Sequence, residues 1–251
     1  MTSKGQGVLL RVVTYNFLRG GSRKRSGHLA RVFREFNPDI VLCQEWRPDH
    51  SPAQNGNENS AFGNFFWRPA RGNYWGTGLL VRGLKASEIR VPGFHGWVLG
   101  AELQLDRRLC IFSVHCPAGR GGYAKVVHRI LDRIRKLGKD ADVIIGGDFN
   151  VAAGYRFEGD VIKFTRAERA VLDRITHELG LIPAWQAANP GRPLAQTLRW
   201  TMNRSTPYHC DGIFIPARWG SGLRVCKIAA DAEWERLSDH NPVWAELEVT
   251  T

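Results

Sequence analysis

The sequence predicts an α+β fold in which two mixed β-sheets pack face to face with helices outside. Three observations support this fold class. Short apolar segments of strand length recur along the whole chain, three amphipathic helices separate them, and Gly- or Pro-rich stretches interrupt both. The strands do not alternate one for one with helices, as a repeated βαβ unit requires. No internal repeat or composition break divides the chain, so we expect a single domain over residues 1–251.

The first elements follow from apolar runs and stop signals. Residues 8–14 form a near-continuous apolar run, which is typical of a strand buried on both faces. Apolar residues recur at helical spacing over residues 29–36, and Asn37-Pro38 ends that helix. Residues 40–43 predict a second buried strand. Residues 48–64 are rich in Pro, Asn, Ser and Gly and predict a long exposed loop.

The rest of the chain adds two helices and most of the strands. An apolar stripe over residues 126–137 predicts the second helix. Thr165 and Glu168 have the spacing of a capping box, which opens a third helix that Gly180 ends. The remaining strand candidates are residues 78–81, 88–91, 100–105, 109–114, 143–145, 212–215, 223–228 and 242–249.

Composition and charge narrow the class of partner. Apolar residues make up 43% of the chain and charged residues 24%, as in ordinary globular proteins. Lys and Arg number 35 against 24 Asp and Glu, giving a net charge of +11 and a pI near 9.9. Such an excess attracts polyanions, of which nucleic acid is the commonest, although anionic lipid headgroups and inositol phosphates respond to the same field.

Signals for secretion, membrane insertion and metal–thiolate chemistry are not found in the sequence. The N-terminal residues are polar, and no apolar stretch approaches the roughly 20 residues that span a bilayer, so a cytoplasmic protein without transmembrane segments is expected. The cysteines contain no C-x-x-C pair, which disfavours a disulfide framework or a zinc site. The cysteines are Cys43, Cys110, Cys116, Cys210 and Cys226.

Polar residues that bind metal or transfer protons recur at strand ends, where loops display functional groups on a rigid scaffold. Taken singly, each has an ordinary explanation: a carboxylate beside a strand is usually solvated, and a lone histidine is usually structural. Their recurrence at successive strand ends favours a shared site. The residues are Asn16, Glu45, His115, Asp148, Asn150, Asp211, Asp239 and His240.

These residues lie in short blocks that resemble, in order, those of the endonuclease/exonuclease/phosphatase superfamily. The resemblance covers residues 14–240. It implies a four-layered α/β sandwich with two mixed sheets and helices outside, and an active site where the strand ends converge. The blocks are Thr14-Tyr15-Asn16, Gln44-Glu45, Ser113-Val114-His115, Gly147-Asp148-Phe149-Asn150, Asp211-Gly212-Ile213-Phe214 and Ser238-Asp239-His240.

The resemblance also implies roles for metal and water. Glu45 resembles the principal metal-binding carboxylate of the family, with Asn16 beside it as a metal ligand or phosphate contact. Asp239 resembles a further metal or network carboxylate. These oxygen ligands suit Mg²⁺, with Mn²⁺ as a substitute. Asp148 resembles the residue that orients or deprotonates the attacking water, with Asn150 as its partner.

The same resemblance implies an imidazole pair that stabilises developing charge. Asp211 resembles a carboxylate that fixes the tautomer of His240 and favours its cationic form. His240 and His115 then stabilise charge on the phosphate oxygens or on the leaving oxygen. Members that cleave at abasic sites usually carry tyrosine in the block of His115, which disfavours that narrower activity, although Tyr123 follows nearby.

Basic and aromatic residues near these blocks are the candidates for substrate binding. A basic loop begins three residues after Asn16, and a glycine-rich turn follows His115, so both are expected at the mouth of the site. The alternative is a solvated loop. Trp46 is also expected to border the substrate. The substrate-binding candidates are Arg19, Arg23, Lys24, Arg25, Arg120 and Trp200, whereas Lys125, Arg129, Arg133 and Lys136 are expected on the solvent face of a helix.

Three functions remain open from the sequence. A metal-dependent nuclease acting on DNA or RNA combines the blocks with the +11 charge. A phosphoesterase acting on an inositol phosphate, sphingomyelin or another small or lipid phosphate uses the same residues, but residues 207–211 depart from the inositol phosphatase pattern. A catalytically inactive scaffold is disfavoured because the polar set is complete. Protein partners are not indicated, and a monomer is expected.

Overall fold

The computed structural model describes residues 7–20, 27–48, 63–202 and 205–249. Within these residues twelve strands form two six-stranded sheets. The strands are β1 (Val8–Asn16), β2 (Ile40–Trp46), β3 (Asn64–Pro69), β4 (Gly76–Val81), β5 (Ala86–Arg90), β6 (Val98–Gln104), β7 (Arg108–His115), β8 (Asp142–Asp148), β9 (Leu181–Pro183), β10 (Asp211–Pro216), β11 (Leu223–Ile228) and β12 (Val243–Val249).

Both sheets are mixed, as the resemblance implied. The first sheet has the order β11-β12-β1-β2-β4-β3, and the second has the order β5-β6-β7-β8-β10-β9. Each contains one parallel pair near its centre, β1 with β2 and β7 with β8. Because parallel strands end at the same edge, these two pairs bring their C-terminal residues to one edge of each sheet.

Helices cover the outer face of each sheet and complete the four layers. The α-helices of the described residues are α1 (His28–Phe36), α2 (Tyr123–Leu137), α3 (Arg166–Asp173, continued by one π-helical turn over Arg174–Glu178), α4 (Ala184–Ala188) and α5 (Ala232–Leu237). Helices α1 and α5 pack on the first sheet through Phe36 and Trp234, and α2 and α3 pack on the second through Ile130 and Leu172. None of these helices is long and apolar enough to cross a membrane.

The space between the sheets is filled by apolar side chains from the central strands. Val12 and Leu42 of the first sheet belong to the same buried cluster as Ile111, Ile144 and Ile213 of the second. Both faces of these strands are therefore covered, which explains why their sequences are near-continuous apolar runs. This packing holds the two parallel pairs against each other and so fixes the edge at which their polar ends meet.

Most predicted elements are present, with boundaries shifted by a few residues. The capping box is confirmed: Thr165 Oγ1 accepts a hydrogen bond from Glu168 N at 3.2 Å, and Glu168 Oε2 accepts one from Thr165 N at 3.0 Å. Sequence patterns did not predict four elements, namely β3, β9, α4 and α5. β3 lies at the edge of its sheet and is incompletely buried, and the other three are too short to show periodicity.

Candidate active site

Strand register brings the predicted polar residues together. Asn16 at the end of β1 lies opposite Gln44 of the parallel strand β2. His115 at the end of β7 lies opposite Asp148 at the end of β8, again in parallel. Strand β10 runs antiparallel to β8, so its first residue, Asp211, also lies opposite Asp148. Residues far apart in the chain therefore meet at one edge of the two sheets.

Asp148 lies at the centre of this group. Its Oδ2 accepts hydrogen bonds from Asn16 Nδ2 at 3.2 Å and from Asn150 Nδ2 at 3.3 Å. The Nε2 atoms of His115 and His240 each lie 3.9 Å from the same oxygen. One buried carboxylate oxygen thus contacts residues from both sheets, and both imidazoles face it.

The backbone around Asp148 depends on glycine and on a tight turn. Gly147 has a φ of +149°, and a Cβ atom there would lie 1.8 Å from Val114 O of the neighbouring strand. Asn150 adopts a left-handed conformation with a φ of +53°. Its N donates to Asp148 Oδ1 at 2.9 Å and its Nδ2 donates to Cys116 O at 3.1 Å. The Gly-Asp-Phe-Asn block therefore encodes a backbone shape as well as functional side chains.

The surroundings of Asp148 disfavour its ionised form. Burial raises the pKa of this carboxyl above its usual range, and the negative charge of Asp211 raises it further. The charge of His240 and the hydrogen bond from Asn150 N act in the opposite direction. A carboxyl group with a raised pKa is a stronger base once ionised, as activation of a water molecule requires.

His115 is held as a neutral imidazole. Its ring packs against Trp75 and Trp97, with ring centroids 5.6 Å and 5.2 Å away. Burial lowers the pKa of His115 to about 4, although the charge of Asp148 opposes the effect. Its Nε2 lies 3.6 Å from Glu45 Oε1. Sequence patterns did not indicate the two tryptophans, because they reach His115 from other loops of the fold.

His240 is held in the opposite protonation state. Its Nδ1 donates to both carboxylate oxygens of Asp211, at 3.0 Å and 2.9 Å. Burial lowers the pKa of His240, but the charges of Asp211 and Asp148 outweigh it and raise the pKa to about 10. Ser238 fixes this segment, since its Oγ donates to Asn16 O at 2.8 Å and accepts from His240 N at 3.1 Å.

Glu45 reaches the site through an irregularity in β2. The pairing of β2 with β4 shifts register between Cys43 and Trp46, and Glu45 adopts a φ of +47° there. A non-glycine residue in this region carries backbone strain of the kind found at functional sites. Glu45 Oε1 lies 3.4 Å from Asn16 Nδ2, and Glu45 Oε2 accepts a hydrogen bond from Arg19 N at 2.8 Å.

Asp239 presents an unsatisfied oxygen to the site. Its Oδ1 is buried without a hydrogen-bonding partner among the described residues and lies 4.0 Å from His240 Nε2. Arg199, which the sequence did not identify, supports this segment from behind. The buried Arg199 guanidinium donates to Ser238 O at 2.6 Å and to Asn241 Oδ1, and Arg199 N donates to Asp239 O at 2.8 Å.

One group of possible metal-binding side chains is a poor match for a hard cation. Asp148, Cys210, Asp211 and His240 place one ligand atom each within 4.8 Å of one another. However, Asp211 and His240 are hydrogen-bonded to each other. Burial raises the pKa of the Cys210 thiol well above its usual value, so the thiol stays protonated.

The predicted metal residues fit a hard divalent cation better. Glu45 and Asp239 supply carboxylate oxygens, and the buried Asp239 Oδ1 lacks a partner within the described part of the chain. Asn16 turns its Nδ2 toward Glu45 and Asp148, while its Oδ1 accepts from Leu18 N at 3.0 Å. Asn16 therefore orders the carboxylates through its amide group. Carboxylate oxygens are the ligands that a hard divalent cation prefers.

The predicted substrate-binding residues divide into two groups. Arg19, Arg120 and Trp200 are exposed in segments attached to the site: Arg19 N donates to Glu45, Arg120 follows His115, and Trp200 follows Arg199. The remaining three predicted contacts lie outside the described residues, namely Arg23, Lys24 and Arg25.

Two further expectations about basic and aromatic residues have different outcomes. The expectation that Trp46 borders the substrate is wrong. Its side chain is buried, with its ring 5.2 Å from that of Phe65, because the register shift in β2 turns Glu45 toward the site. The basic face of α2 is exposed as expected, at Lys125, Arg129, Arg133 and Lys136.

The fold and the buried cluster of carboxylates and histidines are accompanied by a match to a family of phosphoester hydrolases. The model of the endonuclease/exonuclease/phosphatase family matches residues 13–240. The chain therefore belongs to this family. No curated protein sequence matches the chain.

Solved structures share the fold at low sequence identity. The AP endonuclease LMAP from Leishmania major is 18% identical with a TM-score of 0.71, over 96% of this chain and 88% of that one. The 3′ phosphatase NExo from Neisseria, bound to product DNA hairpin, is 18% identical with a TM-score of 0.72, over 95% and 99%. The endonuclease domain of the retrotransposon TRAS1 is 16% identical with a TM-score of 0.67, over 97% and 100%. These similarities establish the four-layered sandwich.

Proposed function

We propose that this protein is a divalent-metal-dependent phosphodiesterase that hydrolyses the backbone of DNA or RNA. The observation that carries the proposal is the convergence on Asp148 Oδ2 of two amides and two imidazoles in opposite protonation states. A cationic imidazole, a neutral one and a buried base are the groups that phosphodiester hydrolysis requires without a covalent nucleophile.

Each residue has a role that follows from its contacts. Asp148 accepts a proton from the attacking water, and Asn150 holds Asp148 and orients that water. His240, held cationic by Asp211, donates a hydrogen bond to a phosphate oxygen, and the neutral His115 donates another. A bound divalent cation supplies charge neutralisation at the phosphate. Its proposed residues are Asn16, Glu45 and Asp239.

The charge of the molecule and the similar structures favour nucleic acid as substrate. The net charge of +11 attracts polyanions. One similar structure is an AP endonuclease, another contains product DNA, and a third is an endonuclease domain, each over most of this chain. The proposed backbone contacts are Arg19, Arg23, Lys24, Arg25 and Arg120, with Trp200 as a surface for a base.

The test compares substrates, metals and a matched pair of variants. Supercoiled plasmid, single-stranded DNA, RNA, sphingomyelin and an inositol phosphate panel are incubated with Mg²⁺, Mn²⁺ or EDTA. Asp148→Asn removes the proposed base, and Asp106→Asn makes the same change on the surface, beyond the opposite end of β7. We expect metal-dependent cleavage of nucleic acid that Asp148→Asn loses and Asp106→Asn keeps.

Three results would contradict the proposal in different ways. Release of phosphate or headgroup only from the small or lipid substrates would replace the nuclease with the second phosphoesterase function. Full activity in EDTA would remove the metal from the mechanism. Full activity of Asp148→Asn would remove Asp148 from its role as base.

A further inference from the structure

The side chain of Arg156 is mostly buried near the segment that leads to Asp211. Arg156 is only 8% exposed, and its Nε is buried without a hydrogen bond to any described residue. No hydrogen bond or ion pair to this guanidinium is present in the described part of the chain. Burial lowers the pKa of Arg156. Burying an unpaired cation costs free energy, so binding of an anion from outside the folded chain would stabilise Arg156.

The segment that precedes Arg156 is hydrogen-bonded to the residues just before the strand that carries Asp211. This segment follows Asn150 directly, and Ala153 N donates to His209 O at 2.9 Å. Arg156 is within electrostatic range of Cys210 and of His209, whose Nε2 is also buried without a hydrogen-bonding partner among the described residues. The guanidinium of Arg156, which has no partner among the described residues, is therefore close to Cys210 and His209. These two residues directly precede Asp211 in the chain.

The nearby carboxylates are engaged elsewhere. Asp160 Oδ2 accepts a hydrogen bond from Phe157 N at 3.0 Å. Glu168 Oε1 accepts one from Ala152 N at 3.1 Å, and its Oε2 belongs to the capping box of α3. Both charges favour the cationic form of Arg156 from a distance, but neither forms an ion pair with it.

Two exposed aromatic side chains flank the same region. Phe157, next to Arg156 in sequence, is 48% exposed, and Tyr208, within its electrostatic range, is 37% exposed. Exposed rings beside a cation are the arrangement in which nucleic acid bases stack while the backbone phosphate is bound. A free phosphate ion would use the cation but gain nothing from the rings.

We propose that Arg156 forms a second phosphate subsite, which binds a backbone phosphate flanking the scissile one in a nucleic acid strand. The guanidinium donates hydrogen bonds to the non-bridging oxygens, and Phe157 or Tyr208 contacts the adjoining base. The subsite rests on the proposed nuclease function and specifies where the substrate extends beyond the reacting phosphate.

The first experiment measures binding without turnover. The dissociation constant of a single-stranded oligonucleotide is measured in EDTA across a salt series, in an Asp148→Asn background. Arg156→Gln is compared with Arg133→Gln, an exposed arginine on α2. We expect Arg156→Gln to weaken binding by about tenfold. The salt slope, that is, the slope of log Kd against log salt concentration, should also fall by about one, whereas Arg133→Gln should change neither quantity. Equal salt slopes in all three proteins would overturn the subsite.

The second experiment separates a binding role from a structural one. Arg156→Met replaces the guanidinium with an apolar side chain, so the melting temperature should stay equal or rise. Inorganic phosphate should stabilise the parent protein more than Arg156→Met. A markedly lower melting temperature in Arg156→Met, with no loss of oligonucleotide binding, would make the residue structural and refute the subsite.

The outcomes also separate this inference from the proposed function. Inorganic phosphate could raise the melting temperature of the parent protein while Arg156→Gln leaves the salt slope of oligonucleotide binding unchanged. That result would assign the site to free phosphate and overturn the flanking-phosphate role. Failure of the wild-type protein to cleave any nucleic acid would count against the nuclease. Because the salt slope needs no hydrolysis, it would still decide whether Arg156 binds a backbone phosphate.

Discussion

Acidification is expected to destabilise the protein through His209, because this imidazole is buried in its neutral form. Its Nδ1 donates to Ala195 O at 2.6 Å, and its Nε2 has no hydrogen-bonding partner in the described ranges. Burial lowers the pKa of His209 to about 4. The hydrogen bond to Ala195 opposes this shift, and the charge of Arg156 adds to it. Protonation would place a second buried N–H, on Nε2, without an acceptor.

The size and sign of this destabilisation follow from the pKa of His209 in the unfolded and in the folded chain. An imidazole in the unfolded chain has a pKa of about 6.5. Between that value and about 4, the unfolded chain binds the proton and the folded chain does not, so stability falls as the pH falls. The contribution is complete above the unfolded pKa and lost below the folded one. At about 1.4 kcal/mol per pKa unit, the loss amounts to about 3 kcal/mol.

The assay isolates the contribution of His209 by comparing the stability of two proteins that differ only at this residue. Free energies of unfolding are measured in urea from neutral pH down to pH 3.5 for the wild type and for His209→Asn, whose amide can still donate to Ala195 O. Other titrating groups are common to both proteins and cancel. We expect the stability gap between the two proteins to change by about 3 kcal/mol across this range. A gap that stays constant within about 0.5 kcal/mol would refute the buried neutral imidazole.

Three further predictions concern the site and its frame. Asp211→Asn should lower kcat by about 10³- to 10⁴-fold while the circular dichroism stays native, and an unchanged kcat would exclude Asp211 as the partner of His240. Gly147→Ala should lower the free energy of unfolding by about 3 kcal/mol, because the new Cβ would overlap Val114 O; a loss below about 0.5 kcal/mol would contradict that overlap. Thr165→Ala should cost about 1 kcal/mol in urea unfolding and leave kcat unchanged, and a loss of turnover would connect α3 to the site.

The central strands could be predicted from sequence because both of their faces are buried. The apolar runs of β1, β2 and β8 carry their own signal, and so do the polar residues at their ends. Strand β3 carries no such signal, since it lies at a sheet edge and its side chains are mostly half-buried. Short elements such as β9 and α4 depend on contacts with neighbours for their stability.

The members of the candidate site were predicted, but not the direction in which every side chain points. Glu45 and Trp46 are adjacent in an apolar strand, and simple alternation does not reveal the left-handed backbone at Glu45. That conformation depends on the register shift between β2 and β4. It turns Glu45 toward Asn16 and leaves Trp46 in the core, whereas the sequence predicted a position beside the substrate.

Arg199 shows a second limit of sequence reasoning. Nothing in its neighbourhood in the chain indicates that it is buried or that it holds the segment from Ser238 to Asn241. The partner segment lies about forty residues away, and the pairing exists only once β12 has joined the first sheet. Long-range hydrogen bonds of this kind leave no local pattern.

Sequence patterns were enough to predict the family, the central buried strands and the polar residues that the fold brings together at the candidate site. The protonation states of those residues depend on contacts that exist only in the folded chain. His115 and His240 each end one of the short sequence blocks, yet one is neutral and the other cationic. The difference arises because Asp211, from another strand, bonds to His240, whereas Trp75 and Trp97 enclose His115. A pKa depends on distance through space, and that distance is set by how the two sheets pack.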